Sequence, residues 1–250
     1  MTIFSTDNKN VWYTLGVGLI LLGWQLFSAH YGRVIVPSPL ETWQALVEIA
    51  TSGEMLENLK ITFSRQLMGL LLGLMAGTFT GVVAGVFKKV GLLFQPIVTF
   101  LLSVPAIIYV TMAMVWFGTG TRMTVFLVAL LVFPIMHMNT ASGINSIDPL
   151  FMQMAQIYQM PPLKIWGKIY LPGMRGHLIT GFSLGLASSM RLTIMSEMLG
   201  AVDGMGQRIY ISRVYLETEK LFAWVTVLLV ILVLLEFLFI RPLKKWTRAD

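Results

Sequence analysis

Six mostly apolar stretches, each set off from the next by a polar interval, organise this chain of 250 residues. They run from Val11 to Phe27, Gln66 to Phe87, Leu92 to Phe117, Met123 to Met138, Leu178 to Met198 and Leu221 to Ile240. An α-helix needs about 20 apolar residues to cross a hydrocarbon core, so each stretch predicts a membrane-spanning helix. The fourth is short and can begin earlier. The third is long and holds Pro105, which predicts a tilted or locally broken helix. The expected fold class is therefore all-α, a polytopic membrane protein with about six transmembrane helices. The first stretch is somewhat long for the apolar part of a cleaved signal and has only Lys9 as a base before it. An uncleaved first span is expected, with Ser28 and Ala29 leaving cleavage open.

Finer periodicities lie within and between these runs. Gly69, Gly73, Gly77, Gly81 and Gly85 recur every four residues and line one face of the second span, a pattern that predicts close packing against another helix. Between the first two spans, Pro37 and Pro39 stop one helix and Ser38 can cap another. From Leu40 to Ala50, the residues Trp43, Leu46, Val47 and Ala50 fall at helical spacing. That predicts an amphipathic helix lying on the outer surface. The organisation expected is residues 1–65 for the first span and external segment, 66–240 for the core with a loop at 148–177, and 241–250 for a basic cytoplasmic tail.

Composition agrees with lipid as the solvent. Hydrophobic residues make up 56% of the chain and charged ones 12%, about half the charged fraction of an ordinary soluble domain. The net charge of +6 comes with no basic patch interleaved with exposed aromatics, so nucleic acid is not an expected partner. Cysteine is absent, which removes disulfides, thiolate metal sites and Cys nucleophiles. An even number of spans puts both termini on one side. That side carries Lys9, Lys88, Lys89, Lys164, Lys168, Arg175, Arg241, Lys244, Lys245 and Arg248 against three acids, while the other side balances seven bases with seven acids. The base-rich side is expected to be cytoplasmic, with both termini inside, and the expected location is a bacterial inner membrane, crossed several times.

Asp148 to Gly181 is the one sizeable cytoplasmic segment. Asp148 can cap and Pro149 can start a helix to Tyr158. Pro161-Pro162 then ends it, and a second short helix is expected from Leu163 to Tyr170, stopped by Leu171-Pro172-Gly173. Met152, Met154, Ile157, Tyr158, Met160 and Trp166 supply adaptable and aromatic contact area. They either dock a partner or pack the loop on the membrane face.

This segment resembles the EAA loop of binding-protein-dependent ABC permeases, whose pattern is E-A-A, three residues, G, nine residues and I-x-L-P. Ile169-Tyr170-Leu171-Pro172 matches the ending, which puts Gln153-Met154-Ala155 at E-A-A and Gln159 at the glycine. Of the first half only Ala155 is retained, and Pro161-Pro162 is expected to help make the bend. The resemblance covers nearly the whole chain. It is closest to the nitrate, sulfonate, taurine and bicarbonate branch, through Val36-Pro37-Ser38-Pro39, Ser103-Val104-Pro105-Ala106, Trp116-Phe117-Gly118-Thr119-Gly120, Phe133-Pro134 with Asn139-Thr140, Ile147-Asp148-Pro149, and Ser196-Glu197-Met198-Leu199-Gly200 followed by Gly204-Met205-Gly206.

The resemblance implies a type I ABC importer permease fold. The chain would pair with a second permease copy, forming a homodimer in membrane lipid, and would receive solute from an extracytoplasmic binding protein. Its two coupling loops would dock on two copies of an ATPase that binds ATP and Mg, so no cofactor is expected in this chain. Gln153, Met154, Ala155, Ile157, Tyr158, Gln159, Met160, Ile169, Leu171 and Pro172 are the expected coupling residues.

Two ionisable groups fall within the fifth span. Arg191 and Glu197 are six residues apart, about 240° around a helix, so they diverge and each needs another partner. Arg191 suits either a small anion in the translocation path or a structural contact. Ser189, Thr193 and Ser196 give the same span a polar strip. With Glu197 and Pro105, these complete the candidate path, although capping and helix packing are competing roles for Glu197 and the hydroxyls. No catalytic or metal-ligating set is expected. His137 is the only histidine within a span and there is no Gly-x-Ser-x-Gly elbow, which weighs against an intramembrane enzyme. A passive channel would leave the coupling loop unexplained. No Walker A pattern occurs, so ATP hydrolysis belongs to a partner.

Overall fold

A computed structural model describes residues 9–32 and 35–242. Lys244, Lys245 and Arg248 of the expected basic tail, and the loop base Arg33, lie outside the described residues.

Among the described residues all regular elements are helices. They are α1 (Lys9–Tyr31), α2 (Pro39–Thr51), α3 (Glu54–Val86), α4 (Lys88–Ser103), α5 (Ala106–Phe117), α6 (Thr121–Asn145), α7 (Pro149–Ile157), α8 (Pro162–Ile165), α9 (Leu171–Gly200), α10 (Met205–Val214) and α11 (Thr218–Leu235), with π-helical turns at Trp166–Tyr170 and Glu236–Ile240. Among the described residues four helical stretches are long and apolar enough to cross a membrane, or five if the bent pair α4–α5 counts as one span. Over the first predicted span, α1 runs for 23 residues, about 34 Å.

Several boundaries move for identifiable reasons. The second span begins at Glu54 and not Gln66, because the polar residues 54–65 continue the same helix. The fourth reaches Asn145 and so extends seven residues past its apolar run. The third is no single rod. Val104 is extended, with φ −81° and ψ 132°, as a residue before proline prefers, and α5 leaves α4 at 99°. The expected stop at Leu171-Pro172-Gly173 does not occur, since Pro162–Gly200 forms one 39-residue helical stretch. There the Leu171 N–H bonds to the Trp166 carbonyl in a π turn. The wider turn absorbs a proline that cannot donate to the helix.

The chain divides into two compact units. One takes in the described residues up to Glu57 with Arg208–Leu228, the other Asn58–Gln207 with the described residues from Leu229. In the first unit, Ser38 and Glu41 form a capping box that starts α2. Trp24 Nε1 donates to the Pro37 carbonyl at 2.9 Å and its ring lies 5.7 Å from that of Phe222. The buried face of α2 is Thr42, Ala45 and Ile49, while Trp43 and Val47 are exposed. The helix is amphipathic as expected, yet of the expected apolar stripe Trp43, Val47 and Ala50 point outward. Small side chains permit close helix approach, and lipid can solvate the large ones.

In the second unit, the glycine stripe of α3 meets α6 almost backbone to backbone. A Cβ added at Gly69 would lie 2.6 Å from Val128 Cβ, at Gly77 2.6 Å from the Phe133 carbonyl oxygen, and at Gly81 2.7 Å from that of His137. Side chains of α9 complete this core, with Leu186 beside Leu70, Val128 and Val132. Lipid removes the ordinary hydrophobic drive between helices, so such interlocking contact is what holds them.

Candidate coupling surface and translocation groove

The α7 knob forms as its caps predict. Asp148 Oδ1 accepts from Leu150 N–H at 2.8 Å, and Pro149 occupies the first helical position. At the other end, Met160 N–H bonds to the Ala155 carbonyl at 2.9 Å and Gln159 N–H to that of Gln156 at 3.1 Å. This is the Schellman arrangement, whose pivot is usually glycine. Here the pivot is Gln159, at φ +46°, on the position where the EAA pattern has its glycine. The turn is therefore made without the glycine, at a cost of about 1–2 kcal/mol for a left-handed non-glycine residue.

Ala155, the retained residue of E-A-A, is buried, while Met154, Ile157, Tyr158 and Leu163 stand exposed, the last at 88%. Gln153, Gln159, Leu171 and Pro172 are also exposed, with Met160 and Ile169 half-buried. Trp166 and Tyr170 pair their rings at 4.5 Å across the π turn. The knob thus projects an apolar surface just ahead of α8, which continues through the π turn into α9 without a break.

At the other end of α9, Glu197 is fully buried. It accepts from Thr62 Oγ1 at 2.8 Å, Arg65 Nη1 at 3.0 Å and the Gly206 N–H at 3.0 Å. Arg65 also donates to Thr121 Oγ1 at 3.0 Å and the Asp203 carbonyl at 2.8 Å, and pairs with the Asp203 carboxylate. Gly204 N–H reaches Asn58 Oδ1 at 3.0 Å, and Met205 N–H reaches Thr62 Oγ1 at 2.9 Å. The link after α9 is thereby tied to α3. Asn58, Thr62 and Arg65 were absent from the sequence-derived candidates, although they continue the spacing of the glycine stripe outward along α3, which is the signal that marks them as facing inward.

The candidate path residues separate into two groups. Ser189, Thr193 and Ser196 are buried, with hydroxyls donating to the carbonyls of Leu186, Ser189 and Thr193 of their own helix. Ser189 Oγ also accepts from Gln66 Nε2 at 3.1 Å. With Glu197, these face the α9 packing and not a water-lined strip. Arg191 and Pro105 meet instead, at a groove of about 420 Å³ whose lining includes Ser103, Ser188, Leu131 and Ile135. Arg191 is exposed there, its Nε donating to the Ala187 carbonyl at 3.2 Å. No carboxylate pairs with it among the described residues.

A family model described as binding-protein-dependent transport system inner membrane component matches residues 69–243. The Escherichia coli (strain K12) protein SsuC, assigned as an aliphatic sulfonates transport permease, is 33% identical over 211 residues, covering 83% of this chain and 79% of its own length. The taurine transport system permease protein TauC of the same strain is 24% identical over 242 residues, 93% of this chain and 88% of its own. Among solved structures, an inward-facing MetNI methionine ABC transporter aligns with TM-score 0.56 and 21% identity over 76% of this chain and 91% of that one. An amino acid ABC transporter with histidines gives 0.61 and 15% over 82% and 98%. These two likenesses concern the fold.

Proposed function

The chain belongs to the family of binding-protein-dependent transport system inner membrane components, and from that premise we propose that its solute is a small organic sulfonate of the taurine or alkanesulfonate kind. It is the multi-pass permease subunit of an ABC importer, and ATP hydrolysis resides in a separate subunit. The observation that carries the substrate reading is the contrast between Arg65 and Arg191. Arg65 is buried and neutralised by Glu197 and Asp203, whereas Arg191 lines an open groove with no carboxylate beside it. A guanidinium without an acid partner, in a protein of this kind, suits an arriving anion.

The finer arrangement belongs to the same proposal. Two copies of the chain form the path in the inner membrane, both termini face the cytoplasm, and each α7 knob docks on one of two ATPase subunits that bind ATP and Mg.

ATP-dependent uptake of labelled taurine into proteoliposomes, with the cognate ATPase and binding protein, tests the substrate. Arg191→Ala is expected to lower uptake about 10–100-fold, the scale of a lost hydrogen bond to a charged group, while the ATPase still co-purifies. Normal uptake by that variant would remove Arg191 from the path. Glutamates at both Met154 and Tyr158 are expected to leave the permease folded and inserted but to separate ATP hydrolysis from uptake. Unchanged coupling would rule out α7 as the docking element.

A further inference from the structure

We propose that a second anion-holding station exists at the opposite end of α4, centred on Lys88. This rests on the reading of the chain as a sulfonate path and extends it. A groove of about 790 Å³ runs between α4 and α6, lined by Lys88, Gln95 and Thr99 from the first and His137, Ser142 and Asn145 from the second, among others. The spacing explains the lining. Positions 88, 92, 95 and 99 make one face of α4, and 137, 138, 141, 142 and 145 make one face of α6.

Its chemistry suits an anion. Among the described residues Lys88 has no carboxylate partner, and no acid lines the groove. Amide and hydroxyl groups stand around the single ammonium, and Leu92, Val98 and Met138 add apolar surface for an alkyl segment. His137 is fixed in the wall, its Nδ1 2.9 Å from Thr80 Oγ1 and its ring beside Phe94 at 5.2 Å. The volume lies within the range of small-molecule sites.

The two grooves share their walls. The far end of α4, Leu101 to Ser103, and the α6 residues Leu131 and Ile135 line the Arg191 groove. The α4–α6 pair therefore leads from the groove of its own Lys88 to the groove where α9 supplies Arg191, and α4 from Lys88 to Ser103 spans about 22 Å. An anion released from Arg191 meets the ammonium of Lys88 next. Val98 and Leu101, between the two grooves, are buried and apolar, so the two stations are separate sites. Binding that is favourable at separate sites and weak at each permits passage.

The test uses the absence of native cysteine. Ser142→Cys places a thiol in the groove of the permease–ATPase complex in nanodiscs, and intact mass of the permease chain reads its modification. The anionic 2-sulfonatoethyl methanethiosulfonate is expected to react about fivefold faster than the cationic trimethylammonium analogue, after correction for their rates on glutathione, as one nearby unit charge implies. Lys88→Gln, in the same background, is expected to bring the ratio near one, and millimolar ethanesulfonate to slow labelling only when Lys88 is present. A ratio indifferent to Lys88→Gln overturns the proposal. So does protection by phosphatidylglycerol nanodiscs, relative to phosphatidylcholine, without protection by ethanesulfonate, which would mark a lipid site. Failure of taurine uptake would fall on the substrate reading and leave this electrostatic result standing.

Discussion

Glu197→Ala is expected to destabilise the permease by about 3–5 kcal/mol, because it leaves the guanidinium of Arg65 buried beside a vacated partner. The side chain is 0% exposed and Arg65 3%, so water cannot replace the lost carboxylate. Three donors lose their acceptor together: Thr62 Oγ1, Arg65 Nη1 and the Gly206 N–H. Asp203 still pairs with Arg65, but its half-exposed carboxylate bonds Nη2, which leaves Nη1 only the neutral Asp203 carbonyl. Thermal unfolding of the detergent-solubilised complex, followed by loss of the monodisperse peak, measures the effect. A double-mutant cycle with Arg65→Met separates mechanisms. If the penalty is an orphaned charge, the double variant should lie above the sum of the singles by more than 1 kcal/mol. Strict additivity would mean that the pair is not coupled and that cavity formation explains the loss.

The second large effect concerns the face where α3 meets α6. Gly77→Leu is expected to prevent accumulation of folded protein, and Gly77→Ala to cost about 1–3 kcal/mol through overpacking. An added Cβ at this position would sit 2.6 Å from the Phe133 carbonyl oxygen and 2.7 Å from Met136 Cβ. Neither neighbour is the flexible tip of a side chain, so the helices themselves must separate. Gly16→Ala in α1 provides the control, since its Cβ would meet nothing within 4 Å. It should be neutral or slightly stabilising, as alanine favours helix. Equal expression and melting of the two alanine variants would show that the α3 stripe tolerates more room than its geometry implies.

The coupling knob shows how a sequence departure can leave geometry intact. Gln159 replaces the glycine of the EAA pattern, yet it adopts φ +46° and completes the same helix-ending bonds. The fold imposes that conformation because Ala155, four residues earlier, is buried and fixes the helix, while Pro161-Pro162 forces the chain to leave it. Local preference is overruled at modest cost by the packing around it.

The lipid environment, the apolar runs, the break at Pro105, the capped knob after Asp148 and the close-packing stripe on the second span are legible in the order of residues alone. All of these follow from local chemistry: transfer of side chains to hydrocarbon, proline's missing donor, and the periodicity of a helix. Packing between helices sets what faces what. It turned Trp43 and Val47 of α2 outward, carried α8 into α9 through a π turn, and buried Ser189, Thr193, Ser196 and Glu197 while exposing Arg191. A span's hydroxyls and charges read alike in sequence whether they line water or pack on a neighbour. The difference lies in which helix stands opposite, and at Glu197 of α9 it is set by Thr62 and Arg65, more than 130 residues away in each hydrogen-bonded pair.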